Sequence, residues 1–279
     1  MTTTGPEIPM LTLTGGVRMP AIGLGTWPMD DAEAATAVAT ALRLGYRLID
    51  TAENYENERG VGAGIRASGV PRDEVFVTSK FNARWHGVAG VRTACEASLA
   101  RLGLDRLDLL LVHWPNPGQD RYVEAMEGLM RVREAGLVRA IGVSNFKPAH
   151  LARLFAAGLT PQVSQIQLDP YHHRDDLDAI HRAHGIVTES WGPIGRGGTL
   201  LADPAVTTAA TELGRTPAQV VLRWHVEHGW IPLPKSSDPM RQKQNLEVFD
   251  FALTPAQRAR LDGLDRPDPE MLDADVFGH

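Results

Sequence analysis

Eight times along this chain a short run of apolar residues gives way to a segment whose apolar positions repeat at helical spacing. The strands are predicted at Ala21–Gly25, Tyr46–Asp50, Glu74–Ser79, Leu107–His113, Val138–Val143, Val163–Leu168, Ile186–Trp191 and Trp230–Leu233. Helical spacing is found over Asp31–Leu44, Glu58–Ser68, Val88–Leu102, Arg121–Glu134, Pro148–Ala157, Asp175–His184, Pro204–Leu213, Pro217–His228, Pro239–Leu246 and Pro255–Leu264. Strands that are almost continuously apolar must be covered on both faces, as in a parallel sheet of the α/β class. At 279 residues each unit takes about 35, the size of one unit of a (β/α)8 TIM barrel. We therefore expect a single barrel domain over 1–279. It is preceded by a β-hairpin over Leu11–Met19 that turns at Gly15-Gly16, and it ends in a short polar tail from Asp265 to His279.

A doubly wound open sheet is the main competitor. It has fewer strands and a glycine fingerprint directly after the first. Gly62-Ala63-Gly64-Ile65-Arg66-Ala67 matches G-x-G-x-x-A, but it lies inside a helical pattern well past the preceding strand. Its context reads as glycines that ease helix packing.

With 28 Lys and Arg against 34 Asp and Glu, the net charge is −6. That balance gives no electrostatic case for nucleic acid or an anionic membrane surface, so any anion must be caught by a local basic cluster. The single cysteine, Cys95, lies in an apolar-periodic helix and excludes an internal disulfide or a cysteine-rich metal site. Met1–Pro9 shows no secretion signal, and no apolar run approaches a membrane span. The expectation is a cytoplasmic, monomeric protein.

In a closed parallel barrel, function collects at the C-terminal ends of the strands. Those ends carry Asp50, Lys80, His113, Ser144-Asn145, Gln165, Trp191 and Lys235-Ser236, and Tyr55 follows Asp50 by five residues. Singly, each could be a solvated charge, a helix cap or a hydrogen-bonded core group. Together, four of them form a proton-transfer set. An ammonium at Lys80 would lower the pKa of the Tyr55 phenol, Asp50 would hold Lys80, and His113 would orient a carbonyl oxygen. The set contains no thiol, activated serine or metal cage, so the electrons must come from a hydride donor.

These stretches resemble the aldo-keto reductase superfamily: Gly-Tyr-Arg-Leu-Ile-Asp-Thr-Ala-Glu-Asn-Tyr-Glu-Asn-Glu at 45–58, Leu-Val-His-Trp-Pro at 111–115, Ile-Gly-Val-Ser-Asn-Phe at 141–146 and Pro-Lys-Ser at 234–236. Two further segments, 189–197 and 248–251, are most similar to bacterial members of the 2,5-diketo-D-gluconate reductase type. The resemblance implies NADPH-dependent reduction of small aldehydes or ketones, keto-sugar acids among the candidates. It makes Tyr55 the proton donor, with Asp50, Lys80 and His113 around it. It places Ser144, Asn145 and Gln165 on the nicotinamide carboxamide and Trp191 on its ring. It assigns Lys235, Ser236 and Arg241 to the 2′-phosphate and puts Gln244 and Asn245 near the adenine.

The phosphate reading also has its own physics. Ser237 or Asp238 as an N-cap, with Pro239 at the first helical position, starts a helix just after Lys235. Helix N-termini favour anions, and Arg241 in the first turn can grip a phosphate bidentately. Otherwise Arg241 and Lys243 are only a solvated face. Four positions depart from the family pattern: Trp191 for a frequent Tyr, Ser164 for Asn, Gln244 for Glu and Asp169 for His.

Trp27, Trp85 and Trp114 follow strands one, three and four and could wall an apolar substrate pocket, which the tail would partly cover. Two other functions compete. A metal-dependent hydrolase barrel is raised by His172, His173, His181 and His184, though their spacing fits no recognised zinc pattern. A non-catalytic nucleotide-binding barrel is opposed by the intact Asp50, Tyr55, Lys80, His113 set.

Overall fold

The computed structural model describes residues 8–266 and 271–279. Most of the N-terminal stretch, and the part of the tail over 267–270, lie outside these described residues. The chain opens with a hairpin of β1 (Met10–Thr12) and β2 (Arg18–Pro20), antiparallel with Leu11 opposite Met19. The barrel then runs through β3 (Leu24–Gly25), α1 (Asp31–Leu44), β4 (Leu48–Asp50), α2 (Glu58–Ser68), β5 (Phe76–Phe81) and α3 (Val88–Leu102). It continues with β6 (Leu107–Val112), α4 (Tyr122–Glu134), β7 (Val138–Ser144), α5 (Pro148–Ala156), β8 (Val163–Gln167) and α6 (Asp175–His184). It ends with β9 (Val187–Trp191), α7 (Pro204–Leu213), α8 (Pro217–Glu227), β10 (Ile231–Leu233), α9 (Pro239–Leu246) and α10 (Pro255–Asp262).

Strands β3 to β10 are parallel and pair in chain order. The ring closes where Gly23 N donates to Pro232 O (3.1 Å) and Gly25 N to Pro234 O (3.2 Å). Gly23 permits this seam. A Cβ there would stand 2.6 Å from the side chain of Leu48 and 2.7 Å from that of Leu233.

Alternation along each strand sorts the side chains. Ile49, Val77, Leu110, Val112, Ile141, Val143 and Ile166 point outward into one core shared with the helices. Leu48, Phe76, Leu109, Leu111, Ala140, Val163, Ile231 and Leu233 point inward and fill the lower barrel, where Leu13 and Met19 of the hairpin join them. The hairpin is thus a plug under the barrel. Further along β4, β5, β8 and β9 the same inward face carries Asp50, Lys80, Gln165 and Glu189. The barrel has an apolar floor and a polar top.

The glycines of α2 act as packing devices, not as a nucleotide fingerprint. A Cβ on Gly62 would lie 1.9 Å from Leu102 O, and one on Gly64 would lie 2.6 Å from Ala35 O. β5 runs two residues beyond its predicted end, so Lys80 sits within the strand, paired with Leu111. β4 begins two residues late. Tyr46 is fully buried off the strand, and its hydroxyl donates to Gln242 O of α9 at 3.2 Å.

Candidate active site

After Asp50 the chain leaves β4 and makes a single 3-10 turn over Glu53–Tyr55, which presents Tyr55. Its neighbours hold this turn firmly. Thr51 Oγ1 donates to Asn57 Oδ1 (2.7 Å), and Asn57 Nδ2 donates to Thr26 O and Met29 O. The Glu53 carboxylate accepts from Trp85 Nε1 (2.9 Å) and Asn82 N (3.2 Å) and pairs with Arg84. Trp85 therefore braces the Tyr55 turn through its indole N–H.

Lys80 is fully buried, and its three ammonium hydrogens have three acceptors. They are Asp50 Oδ2 at 2.7 Å, Thr51 O at 3.0 Å and Tyr55 Oη at 3.2 Å. Burial pulls the lysine pKa down, but Asp50 and Tyr55 outweigh it, and the group stays charged above the ordinary lysine range. For Tyr55 the net direction differs from the sequence expectation. Burial raises the phenol pKa, Lys80 lowers it, Asp50 raises it again, and the sum lies above the usual value. The lysine offsets the burial without overcoming it, so the phenol keeps its proton.

His113 follows β6, its ring edge-on to Tyr55 with centroids 5.8 Å apart. Burial first, then Lys80 and His279, hold its pKa well below the usual imidazole value, so the ring is neutral. Its Nδ1 is buried without a hydrogen-bond partner.

Asn145, with φ of 63°, joins three other expected site residues. Its Nδ2 donates to His113 O (3.1 Å) and Ser144 Oγ (3.0 Å), while its Oδ1 accepts from Trp191 Nε1 (2.8 Å). This fixes the half-buried Trp191 ring. The Arg196 guanidinium lies 5.4 Å from that ring and 5.7 Å from the ring of Trp27. Gln165 Nε2 donates to Asp50 Oδ1 (2.9 Å) and to Glu189 Oε2 (3.0 Å).

The basic group lies beyond β10. Lys235 bridges to Gly25 across the seam, and its Nζ is 3.2 Å from Glu33 Oε1. Asp238 caps α9, accepting from Arg241 N at 2.9 Å. Ser236 is buried beside this cap, and Arg241 is exposed. Asn245 is buried and bonds Tyr46, while Gln244 is half-buried.

Trp114 is buried beside His113, and the tail covers both. Phe277 packs on Trp114 (4.7 Å), His279 meets His113 edge-on (5.0 Å), and Ala83 N donates to His279 O (2.7 Å). Lys147 and His150 anchor the tail through Asp273 and Asp275. A cavity of about 250 Å³ remains between Asn145, Gln167, Trp191 and the tail at Leu272–Ala274.

Of the four departures from the family pattern, Trp191 is held by Asn145 as above, and two more have visible surroundings. Asp169 accepts from Tyr171 N and His172 Nδ1, tying its own loop, and Ser164 Oγ is buried without a partner. The histidines that raised a metal site are dispersed. His181 bonds Thr188, His184 stacks on Phe155, and His173 lies against Trp224. Among the described residues no group of three or more His, Cys, Asp or Glu is placed to hold a metal ion.

Glu189, Glu53 and Arg196 join the site only in the folded chain. A signal for Glu189 existed: it lies between Val187 and Trp191 at spacings of two, a charge on an otherwise apolar strand face.

A closed parallel barrel with a charged lysine, a protonated phenol and a neutral imidazole at its C-terminal mouth defines a barrel oxidoreductase. The model of the aldo/keto reductase family matches residues 21–266, and the chain belongs to that family. It is 48% identical over 262 residues to 2,5-diketo-D-gluconic acid reductase B of Corynebacterium sp., covering 94% of this chain and 95% of that protein. The crystal structure of an aldo/keto reductase from Brucella melitensis superposes with a TM-score of 0.89 at 41% identity, over 93% of this chain and all of the other. A Gox0644 variant in complex with NADPH superposes with a TM-score of 0.93 at 39% identity, over 98% and 99% of the two chains.

Proposed function

We propose that this protein reduces small aldehydes and ketones, keto-sugar acids among them, using NADPH, with Tyr55 as the proton donor. One observation carries the reading: a protonated phenol 3.2 Å from a fully buried, doubly anchored ammonium, beside a neutral imidazole. Bound NADPH supplies the hydride.

The protein's part is orientation and proton supply. His113 donates to the carbonyl oxygen from its neutral ring and aims that oxygen at Tyr55. As negative charge grows on the oxygen, Tyr55 passes its proton over. The Lys80 ammonium then faces a developing tyrosinate, and its attraction is strongest at that moment. Asp50 keeps Lys80 charged and in place.

The residues present fit the cofactor. The indole of Trp191 is pinned by Asn145 and offers a flat face, and the same Asn145 side chain donates to Ser144. The side-chain oxygen Oε1 of Gln165 receives no hydrogen bond among the described residues, because the bonds of that side chain run from its nitrogen, so it can accept from a carboxamide N–H. Lys235, Ser236 and Arg241 cluster at the start of α9, where a helix N-terminus favours a 2′-phosphate. The likeness to an NADPH-bound structure supports the same choice. Trp27, Trp114, Phe277 and His279 wall the substrate side.

The test is Tyr55→Phe. NADPH-linked reduction of glyceraldehyde should fall by roughly 10²- to 10⁴-fold, the usual contribution of a positioned acid. Binding of NADPH should stay within a few-fold. Undiminished turnover would overturn the role of Tyr55. A chelator should leave turnover unchanged.

A further inference from the structure

The hydrogen-bond chain that contains the proton donor does not stop at Asp50. Tyr55, Lys80 and Asp50 are linked by bonds of 3.2 and 2.7 Å, and the other oxygen of Asp50 accepts from Gln165 at 2.9 Å. The same Gln165 nitrogen donates its second hydrogen to Glu189 Oε2 at 3.0 Å. Glu189 is fully buried on β9, register-paired with Gln165 on one side and Ile231 on the other. Its second oxygen, Oε1, is buried without a partner. A buried carboxyl with one oxygen engaged and no cation of its own costs stability.

We propose that Glu189 is a positioning residue of the active site, the far anchor of a chain that couples the cofactor-facing Gln165 to the proton donor. The proposal rests on the function inferred above. Asp50 and Glu189 together take both N–H bonds of Gln165. That turns the Gln165 carbonyl away from the two carboxyls and leaves it as an acceptor for the nicotinamide carboxamide. The reverse orientation would set the carbonyl against the ionised Asp50.

Charge gives the chain a second consequence. The charged groups facing Glu189 are Asp50 from β4 and Lys80 from β5, with Tyr55 and His113 beyond them. β8 presents neutral Gln165, and β10 presents Ile231 and Leu233. Asp50 and Lys80 cancel, so the interior is neutral only while Glu189 is protonated. Burial, then Asp50, push its pKa up to about 8, against the smaller opposing pulls of Gln165 and Lys80. The proton sits on Oε1, because Oε2 is receiving the Gln165 N–H. Above that pH a second buried anion opposes the negative charge that Tyr55 must carry as it gives up its proton, and reduction slows.

The experiment compares the full-length chain with Glu189→Gln and Glu189→Leu. It reads NADP⁺ affinity by tryptophan fluorescence and the pH profile of kcat for glyceraldehyde reduction, with thermal melts to check folding. Glu189→Leu, which leaves an N–H of Gln165 without an acceptor, should weaken NADP⁺ about tenfold, the scale of one buried hydrogen bond. Glu189→Gln keeps an acceptor and should hold affinity within about threefold by the same measure. It cannot ionise, so its alkaline fall should move from about pH 8 to higher pH. If Glu189→Leu does not fold, the pH profile of Glu189→Gln decides alone. A profile identical to that of the wild type in Glu189→Gln would overturn the proposal, as would unaltered NADP⁺ affinity in a folded Glu189→Leu. A wild-type chain that binds no NADP⁺ would instead sink the cofactor reading beneath it.

Discussion

Tyr55 shows how far one side chain's chemistry depends on its surroundings. Lys80 alone would make the phenol a stronger acid, yet burial outweighs it and the ground state keeps the proton. On the proposed function the lysine acts on the charge that develops during transfer. Lys80→Met should lower kcat by a factor of about 10² or more, the general acid's usual share, with a smaller change in NADPH affinity. Equal losses in both would mean that the residue chiefly builds the site. The proposed function gives Arg241 a separate part, at the 2′-phosphate. It is exposed, so Arg241→Ala should weaken NADPH about tenfold at low salt, and less at high salt, while NADH binding stays within about twofold. Titrations of both cofactors at two ionic strengths check this. Both residues were legible from strand-end and helix-start patterns. The net direction of the Tyr55 shift was not, because burial is a tertiary quantity.

The barrel's elements carry the site by close approach. α2 lies against its neighbours only because Gly60, Gly62 and Gly64 offer no side chain. On Gly60 a Cβ would be 2.0 Å from Asp31 O. Gly62→Ala should therefore destabilise the fold by about 2 kcal/mol, a typical overpacking cost, because the obstacle is the backbone carbonyl of Leu102. Chemical denaturation measures it, and an unchanged midpoint would mean that α2 shifts freely. The helical context identifies Gly62 and Gly64 as packing devices, but which backbone each one meets follows only from the packed helices. Likewise Trp85 reads as a pocket aromatic in sequence, and in the folded chain its indole N–H is committed to Glu53.

Across the whole molecule, several buried imidazoles set the response to acid. His225 is held down to about 3, chiefly by burial, and His181 and His86 to about 4 for the same first reason. Between pH 6.5 and about 4 the unfolded chain takes up protons at these rings and the folded chain does not, so stability falls with pH. Glu189 works the other way. Its pKa is raised in the folded state, so its contribution is present below 4.5 and is lost as pH climbs toward about 8. Three imidazoles outweigh one carboxyl in the overlapping range, and the melting temperature should drop on acidification below pH 6.5. His225→Gln should flatten that slope. The tail is a second property at this scale. Deleting 276–279 should raise KM for carbonyl substrates more than it changes NADPH affinity, since Phe277 and His279 touch Trp114 and His113.

The order of elements, the barrel class and the strand-end positions of Asp50, Lys80 and His113, with Tyr55 five residues beyond Asp50, were all present in the amino-acid sequence. Each is a matter of periodicity or of position at a strand end, and those are local. Where the chain closes on itself was decided by tertiary structure alone. Gly23 and Gly25 meet residues more than 200 positions away, and that seam brings β9 across the barrel from β4. Only then can Glu189 reach, through one glutamine, the carboxylate that holds Lys80.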